Sequence, residues 1–227
     1  MDGDDKAEDK AVMIQSAGYS DEARALRDTA TALNRAAAAV SPGVAALPPL
    51  LFFTDPTRTP RLWETVARLP AGSAVVYRAF GRPDAEATGH RLQQAAASSG
   101  VRLLVGLDPA LALAVGADGV HLPERAADQA SRLRKAHPDW LLTAAWHGGP
   151  PPADPALDAL VLSPVFPAGG ASAARPALGL EAFAHRVGQS SRPVYALGGI
   201  KASNAGTLIG SGACGLAGVE AIQSAFG

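Results

Sequence analysis

The chain is poor in cysteine, in lysine and in unbroken apolar runs. Its single cysteine, Cys214, excludes an internal disulfide framework and any multi-cysteine metal site. Cys214 lies in an apolar stretch, so a buried structural thiol is expected. Lysine occurs only as Lys6, Lys10, Lys135 and Lys201, leaving arginine to supply most of the positive charge. A net charge of -1 gives no electrostatic case for nucleic-acid binding, which would need a basic face. The most lipid-like run, Ala36 to Phe53, is interrupted by Pro42, Gly43, Pro48 and Pro49, which excludes a membrane span. The opening MDGDDKAEDK is acidic with no apolar stretch behind it, unlike a secretory signal, and a cytoplasmic protein is expected.

What is present is ordinary globular composition. The 227 residues are 48% hydrophobic and 18% charged, enough for one sizeable core. Residues 1–47 form an N-terminal extension. Its first twenty residues are polar and are expected to be loose. Asp21 to Val40 reads as a helix, with Ser20 or Asp21 as N-cap and Leu26, Thr29, Leu33 and Ala37 on one face. That helix is expected to pack on the outside of the main domain or on a second subunit.

Residues 48–227 alternate between strand and helix patterns. Apolar runs at Leu50, Ser73, Arg102, Gly119, Leu141, Ala159, Pro193 and Cys214 read as strands buried on both faces. Helical patterns lie between them, except at WHGGPPPADPAL (Trp146 to Leu157), whose prolines predict an irregular loop. Eight such units predict an α/β fold, a (β/α)8 TIM barrel carrying an N-terminal helical extension; an open doubly wound sheet is the alternative. GADGVHL and GACGLAG share Gly-Ala-x-Gly before a strand and read as tight turns at the barrel bottom, making Asp118 a stability residue.

In a barrel, chemistry sits at the C-terminal strand ends. Gly198 and Gly199 follow strand seven, where glycine lets the backbone approach a ligand. Gly218 and Val219 follow strand eight. The loops after strands seven and eight commonly build a barrel phosphate site, so these four residues are the phosphate-binding candidates; a plain tight turn is the other reading. Glu220, in the first turn of the last helix, would repel phosphate unless it points away. Arg78 ends strand two and either makes an ion pair in the mouth or grips an anionic substrate. His147 ends strand five and is the best general acid/base candidate, with a surface histidine as the alternative. His121 and Ser163, at the ends of strands four and six, are the remaining candidates for the substrate pocket, His121 reading also as a hydrogen-bonded structural histidine. Asp108 looks like a helix cap. Glu124 lacks a carboxylate partner, so no metal site is predicted.

The loop LSPVFPAGGASAARPALGL, Leu162 to Leu180, has the shape of a phosphate-handling loop. From Phe166 to Pro176 its only charge is Arg175.

GADGVHL, LSPVFP…PALGL, LGGI…NA and GACGLAGVEAI, in this order and spacing, resemble the thiamine-phosphate synthase and TenI family from about Leu50 onward. The resemblance implies a (β/α)8 barrel, a place in thiamine biosynthesis, small phosphorylated thiazole or pyrimidine ligands, and a homodimer. Arg78 falls on the family arginine that grips the pyrimidine diphosphate, and Gly199 on a phosphate-binding glycine. Other positions depart: the family glutamine and lysine are Val76 and Phe80, and the Asn-Asp pair after strand three is Gly106-Leu107. A second magnesium aspartate falls on Ala126, and the serine after strand five on Ala145. The Thr-x-Thr-Lys run is Ala168-Gly169-Gly170-Ala171, and the serine opening helix eight is Glu220.

A departing diphosphate needs cationic or metal stabilisation, which these replacements remove. Magnesium is implied only if the synthase reading holds; no other cofactor is expected. Ala145-Trp146-His147 and His121-Leu122-Pro123 resemble the TenI branch, whose thiazole tautomerases move a proton through a histidine without metal. The resemblance therefore leans towards a TenI-like thiazole phosphate tautomerase with His147 and Arg78 at its centre. The alternatives are a non-catalytic member binding a thiamine-related phosphate ligand or a protein partner, and a divergent thiamine-phosphate synthase.

Overall fold

In a computed structural model, residues 18–170 and 173–227 are described; the polar segment before residue 18 and Ala171 lie outside them. Eight strands follow one another: β1 (Leu50–Phe53), β2 (Ala74–Tyr77), β3 (Arg102–Gly106), β4 (Gly119–Leu122), β5 (Leu141–Trp146), β6 (Ala159–Leu162), β7 (Val194–Ala196) and β8 (Gly215–Gly218). Each pairs in parallel with its sequence neighbour, and β1 pairs with β8, so the sheet closes into the expected barrel rather than an open sheet. Parallel strands need crossover connections, and helices supply most of them. These are α2 (Leu62–Arg68), α3 (Ala85–Ser98), α4 (Pro109–Ala114), α5 (Ala130–Ala136), α6 (Gly179–Gln189), α7 (Ala202–Ala205) and α8 (Glu220–Phe226). The β5–β6 connection carries no helix, as its prolines predict; Trp146 Nε1 donates to Gly149 O at 2.8 Å and holds that loop's first turn.

Strand alternation divides the core in two. Leu51, Phe53, Val76, Leu104, Val161 and Tyr195 point into the barrel; Leu50, Phe52, Val75, Leu103 and Leu160 point out against the helices. Both faces are buried, which is why the strands read as continuous apolar runs. The bottom turns behave as expected. Asp118 Oδ2 accepts the Leu103 N–H at 2.7 Å, while Gly116 and Gly212 adopt positive φ. Cys214 is buried, and burial pushes its thiol well above the usual range, so it is inert.

The N-terminal helix α1 (Asp21–Val40) starts at Ser20, whose hydroxyl accepts the Ala23 N–H at 3.1 Å. Its Ala23, Leu26, Ala30 and Leu33 join the apolar layer around the barrel. Asn34, on the same helix, donates to the carbonyls of Val44 and Leu47, within 3.3 Å. That anchors the 3-10 turn Pro42–Ala46, whose Val44 belongs to the barrel's interior cluster. One expectation is shortened: the helical pattern between β7 and β8 gives only α7 and a 3-10 turn, because Gly206 and Gly210 interrupt it.

Candidate active site at the barrel mouth

A cavity of about 570 Å³ opens at the C-terminal ends of β7 and β8. It brings together Arg78, Gly198, Gly199, Gly218 and Val219, five of the candidates named from sequence. Gly198 has φ +103 and Gly199 φ +65, a region that favours glycine. A Cβ at Gly199 would lie 2.4 Å from Pro167 O, and one at Gly198 2.7 Å from Pro164. The loop after β6 is laid against these glycines: Val165 and Phe166 N–H groups donate to Leu197 O and Gly198 O at 2.9 and 3.0 Å. Asn204 fixes the loop from behind, donating to Gly199 O at 2.9 Å and accepting the Lys201 N–H at 2.8 Å.

Arg78 is held rigidly. Its Nε donates to Thr54 O at 2.6 Å, and its main-chain N–H donates to Thr54 Oγ1 at 2.9 Å. Its guanidinium lies over Phe53 and Phe80, at 5.7 and 5.3 Å from the ring centroids. Nη2 stands 3.6 Å from Asp55 Oδ2, beyond hydrogen-bond range, and is buried with no hydrogen-bond partner among the described residues. Burial pulls the Arg78 pKa down, partly offset by Asp55. Burial would raise the Asp55 carboxyl, but hydrogen bonds from Thr57 and Arg58, with the Arg78 charge, hold it below the usual range.

Three wall residues carry no motif signal in the sequence. Glu22 and Leu26 come from α1, so the N-terminal helix forms part of this cavity. Arg58, from the loop after β1, pairs with Glu220 at 2.7 Å. Hydrogen bonding to Arg58 lowers the Glu220 pKa, and the carboxylate lines the cavity as one half of an ion pair.

The remaining candidates lie outside that wall. His147 and Ser163 form a neighbouring cluster: His147 Nδ1 is 3.2 Å from Ser163 Oγ and 3.1 Å from Arg175 Nη1. Arg175 has only donors, so in this contact Nδ1 accepts, which puts the proton of a neutral ring on Nε2. Ser163 is buried and supports His147 rather than facing the cavity. His121 is buried too, 2.9 Å from Thr143 Oγ1 and edge-on to Phe53. Burial, with the charges of Arg78 and His147, lowers its pKa to about 3. His121 is thus a neutral structural histidine, and its expected place in the pocket wall is not met.

The positions where the family resemblance places magnesium aspartates hold Leu107, exposed, and Ala126, buried; neither has an oxygen-bearing side chain. Asp108 caps α4 by accepting the Leu111 N–H at 2.9 Å. Glu124 lines a separate depression beside Pro150 and Asp154. Among the described residues no cluster of three His, Cys, Asp or Glu side chains is arranged to hold a metal. The donor set does not fit a magnesium–diphosphate site. Among the described residues, no helix is long and apolar enough to cross a membrane.

Comparison with known proteins matches this geometry. The family model described as thiamine monophosphate synthase matches residues 50–222. A thiamine-phosphate synthase of Limosilactobacillus fermentum is 32% identical over 177 residues, covering 72% of this chain and 81% of that protein. One of Geobacillus kaustophilus is 34% identical over 146 residues, 63% of this chain and 66% of that protein. The chain thus spans about two thirds of the latter relative's length. Thiamine phosphate pyrophosphorylase of Pyrococcus furiosus superposes with a TM-score of 0.59 at 24% identity, covering 78% of this chain and 91% of that one; the likeness speaks for the fold. With a barrel of this topology and a family match over most of its length, the chain belongs to the thiamine-phosphate synthase and TenI family.

Proposed function

We propose that this protein binds a small phosphorylated thiazole in the β7–β8 cavity and acts as a metal-independent, TenI-like thiazole phosphate tautomerase. One observation carries the reading: Arg78, whose Nη2 is buried with no hydrogen-bond partner among the described residues, stands in the wall of the same cavity as the two glycine loops. A buried guanidinium nitrogen without an acceptor is costly and is relieved by an anion. In this reading the glycine loops take the phosphate, and Arg78 takes the ring carboxylate. His147 Nε2 relays a proton between ring positions, with no net gain or loss of atoms. The relay needs one proton-carrying side chain and a fixed substrate, a role histidine commonly fills.

The family's synthase chemistry is disfavoured by the missing donors at Leu107 and Ala126. A second reading has its own support: His147 does not line the cavity, which favours a member that binds a thiamine-related phosphate ligand without turning it over. One experiment separates them. Thiazole carboxylate phosphate is titrated with and without Mg²⁺, then followed for tautomerisation in the wild type and His147→Asn. Tightly bound but unconverted ligand in the wild type refutes the tautomerase and supports the binder. Turnover that survives in His147→Asn removes the histidine from the mechanism. Binding only with Mg²⁺ restores the synthase.

A further inference from the structure

Arg58 and Glu220 stand 162 residues apart in the chain and meet at the cavity wall, Nη2 to Oε2 at 2.7 Å. Arg58 comes from the loop after β1. Its guanidinium lies across Gly170 of the β6–α6 loop so closely that a Cβ there would fall 2.2 Å from Nη1. Gly170 has φ +63, so the loop's own conformation also favours glycine. One side chain thus spans three mouth segments: the loops after β1 and β6, and the first residue of α8. The paired side chains are 23% and 55% exposed, a class of ion pair that adds little net stability. What matters is where the pair stands.

The charged residues of the cavity wall are Arg58, Arg78 and Lys201 against Glu22 and Glu220, three cations to two carboxylates. Arg58 is occupied by Glu220, and Arg78 is drawn towards Asp55. A guanidinium fork fits phosphate as well as it fits carboxylate. A phosphate monoester, however, brings nearly two negative charges at neutral pH, and a carboxylate one.

On the reading of this cavity as a phosphate site, we propose that Arg58 is a second anion-gripping residue beside Arg78 and that Glu220 is its resident counter-ion, making the site selective for a dianionic group. An incoming monoanion exchanges one carboxylate-like partner for another and gains nothing. A dianion gains the difference, draws Arg58 from Glu220, and leaves the exposed Glu220 side chain to solvent. The departure of Glu220 from the resembling family's serine thereby becomes a selectivity device.

The test is calorimetric titration of the full chain with inorganic phosphate, above its second ionisation, and with acetate as the monoanion. Glu220→Gln should bind phosphate up to about fivefold more tightly than the wild type, since Arg58 no longer has to leave a partly exposed ion pair. It should raise acetate affinity as well, so that acetate, which gains nothing by entering the wild-type site, becomes a measurable ligand. Arg58→Gln should weaken phosphate binding, and Arg58→Gln/Glu220→Gln should bind no better than Arg58→Gln alone. Glu220→Ser, which removes the charge differently, should act in the same direction and guards against a folding defect in one variant. Phosphate bound equally by wild type and Glu220→Gln, or acetate binding no better to the variant than to the wild type, overturns the counter-ion role and leaves the phosphate reading standing. Phosphate bound by neither overturns both.

Discussion

His121 should make this protein measurably sensitive to mild acid. The side chain is buried, shares a hydrogen bond with Thr143, packs edge-on to Phe53 and lies near the charges of Arg78 and His147. Its folded-state pKa falls to about 3, against an ordinary 6.5. Between those values the unfolded chain binds a proton that the native state refuses. Stability from this group is therefore complete above pH 6.5 and is lost as pH falls towards 3. One pKa unit corresponds to about 1.4 kcal/mol, so lowering the pH from 6.5 to 5 should remove roughly 2 kcal/mol. The Asp55 and Glu220 carboxyls, held below their usual ranges, lose their contributions at lower pH, so this window isolates the histidine. The assay is urea unfolding at pH 7 and pH 5 for wild type and His121→Gln, which keeps a polar partner for Thr143. The variant should be less stable at pH 7 but lose about 2 kcal/mol less on acidification. Equal acid sensitivity in both proteins would refute the reasoning.

Two further substitutions test how the cavity is built. Gly199→Ala forces a side chain into left-handed backbone and a Cβ to 2.4 Å from Pro167 O; it should lower the unfolding midpoint by at least about 4 °C and abolish phosphate binding, whereas an unperturbed variant would contradict the loop geometry. Leu26→Ala and Leu33→Ala both empty buried positions of α1 and should each cost about 2–5 kcal/mol by chemical denaturation. Only Leu26 lines the cavity, so only Leu26→Ala should also weaken phosphate binding; equal losses of affinity would show that α1 acts through stability alone.

The strands were legible because a parallel barrel buries both faces, and runs such as LLFF and AVVY leave little else to read. The glycine loops were legible because positive φ and close approach select a residue type. Arg58 was not. It sits in TDPTRTP, a stretch with no periodicity, and its partner Glu220 lies 162 residues away, a distance that only closure of β1 onto β8 brings together. Glu220 itself was visible as an objection to phosphate, but its ion pair was not. The inward duty of α1 was hidden for a similar reason: its apolar stripe announces burial without saying that Glu22 and Leu26 end at the mouth.

The mouth is electrically divided, and the division bears on the ligand. On the side of β1, β7 and β8 stand Arg58, Lys201, the glycine loops and, reaching across from β2, Arg78. On the side of β2 and β3 the strand ends carry Phe80 and Leu107, 67% and 51% exposed, each with φ in the left-handed region. Bulky residues rarely adopt that conformation, and their apolar side chains offer no charge to a second phosphate. The cations at this rim are already engaged: Arg78 lies over the Phe80 ring at 5.3 Å, and Arg82, two residues on, pairs with Asp84 at 2.9 Å. A ligand with one phosphate and a flat ring suits both halves: the phosphate on the glycine loops, the ring towards Phe80. The proposed reading uses that asymmetry: one anionic group on the glycine loops, and an aromatic edge beside it for the ring.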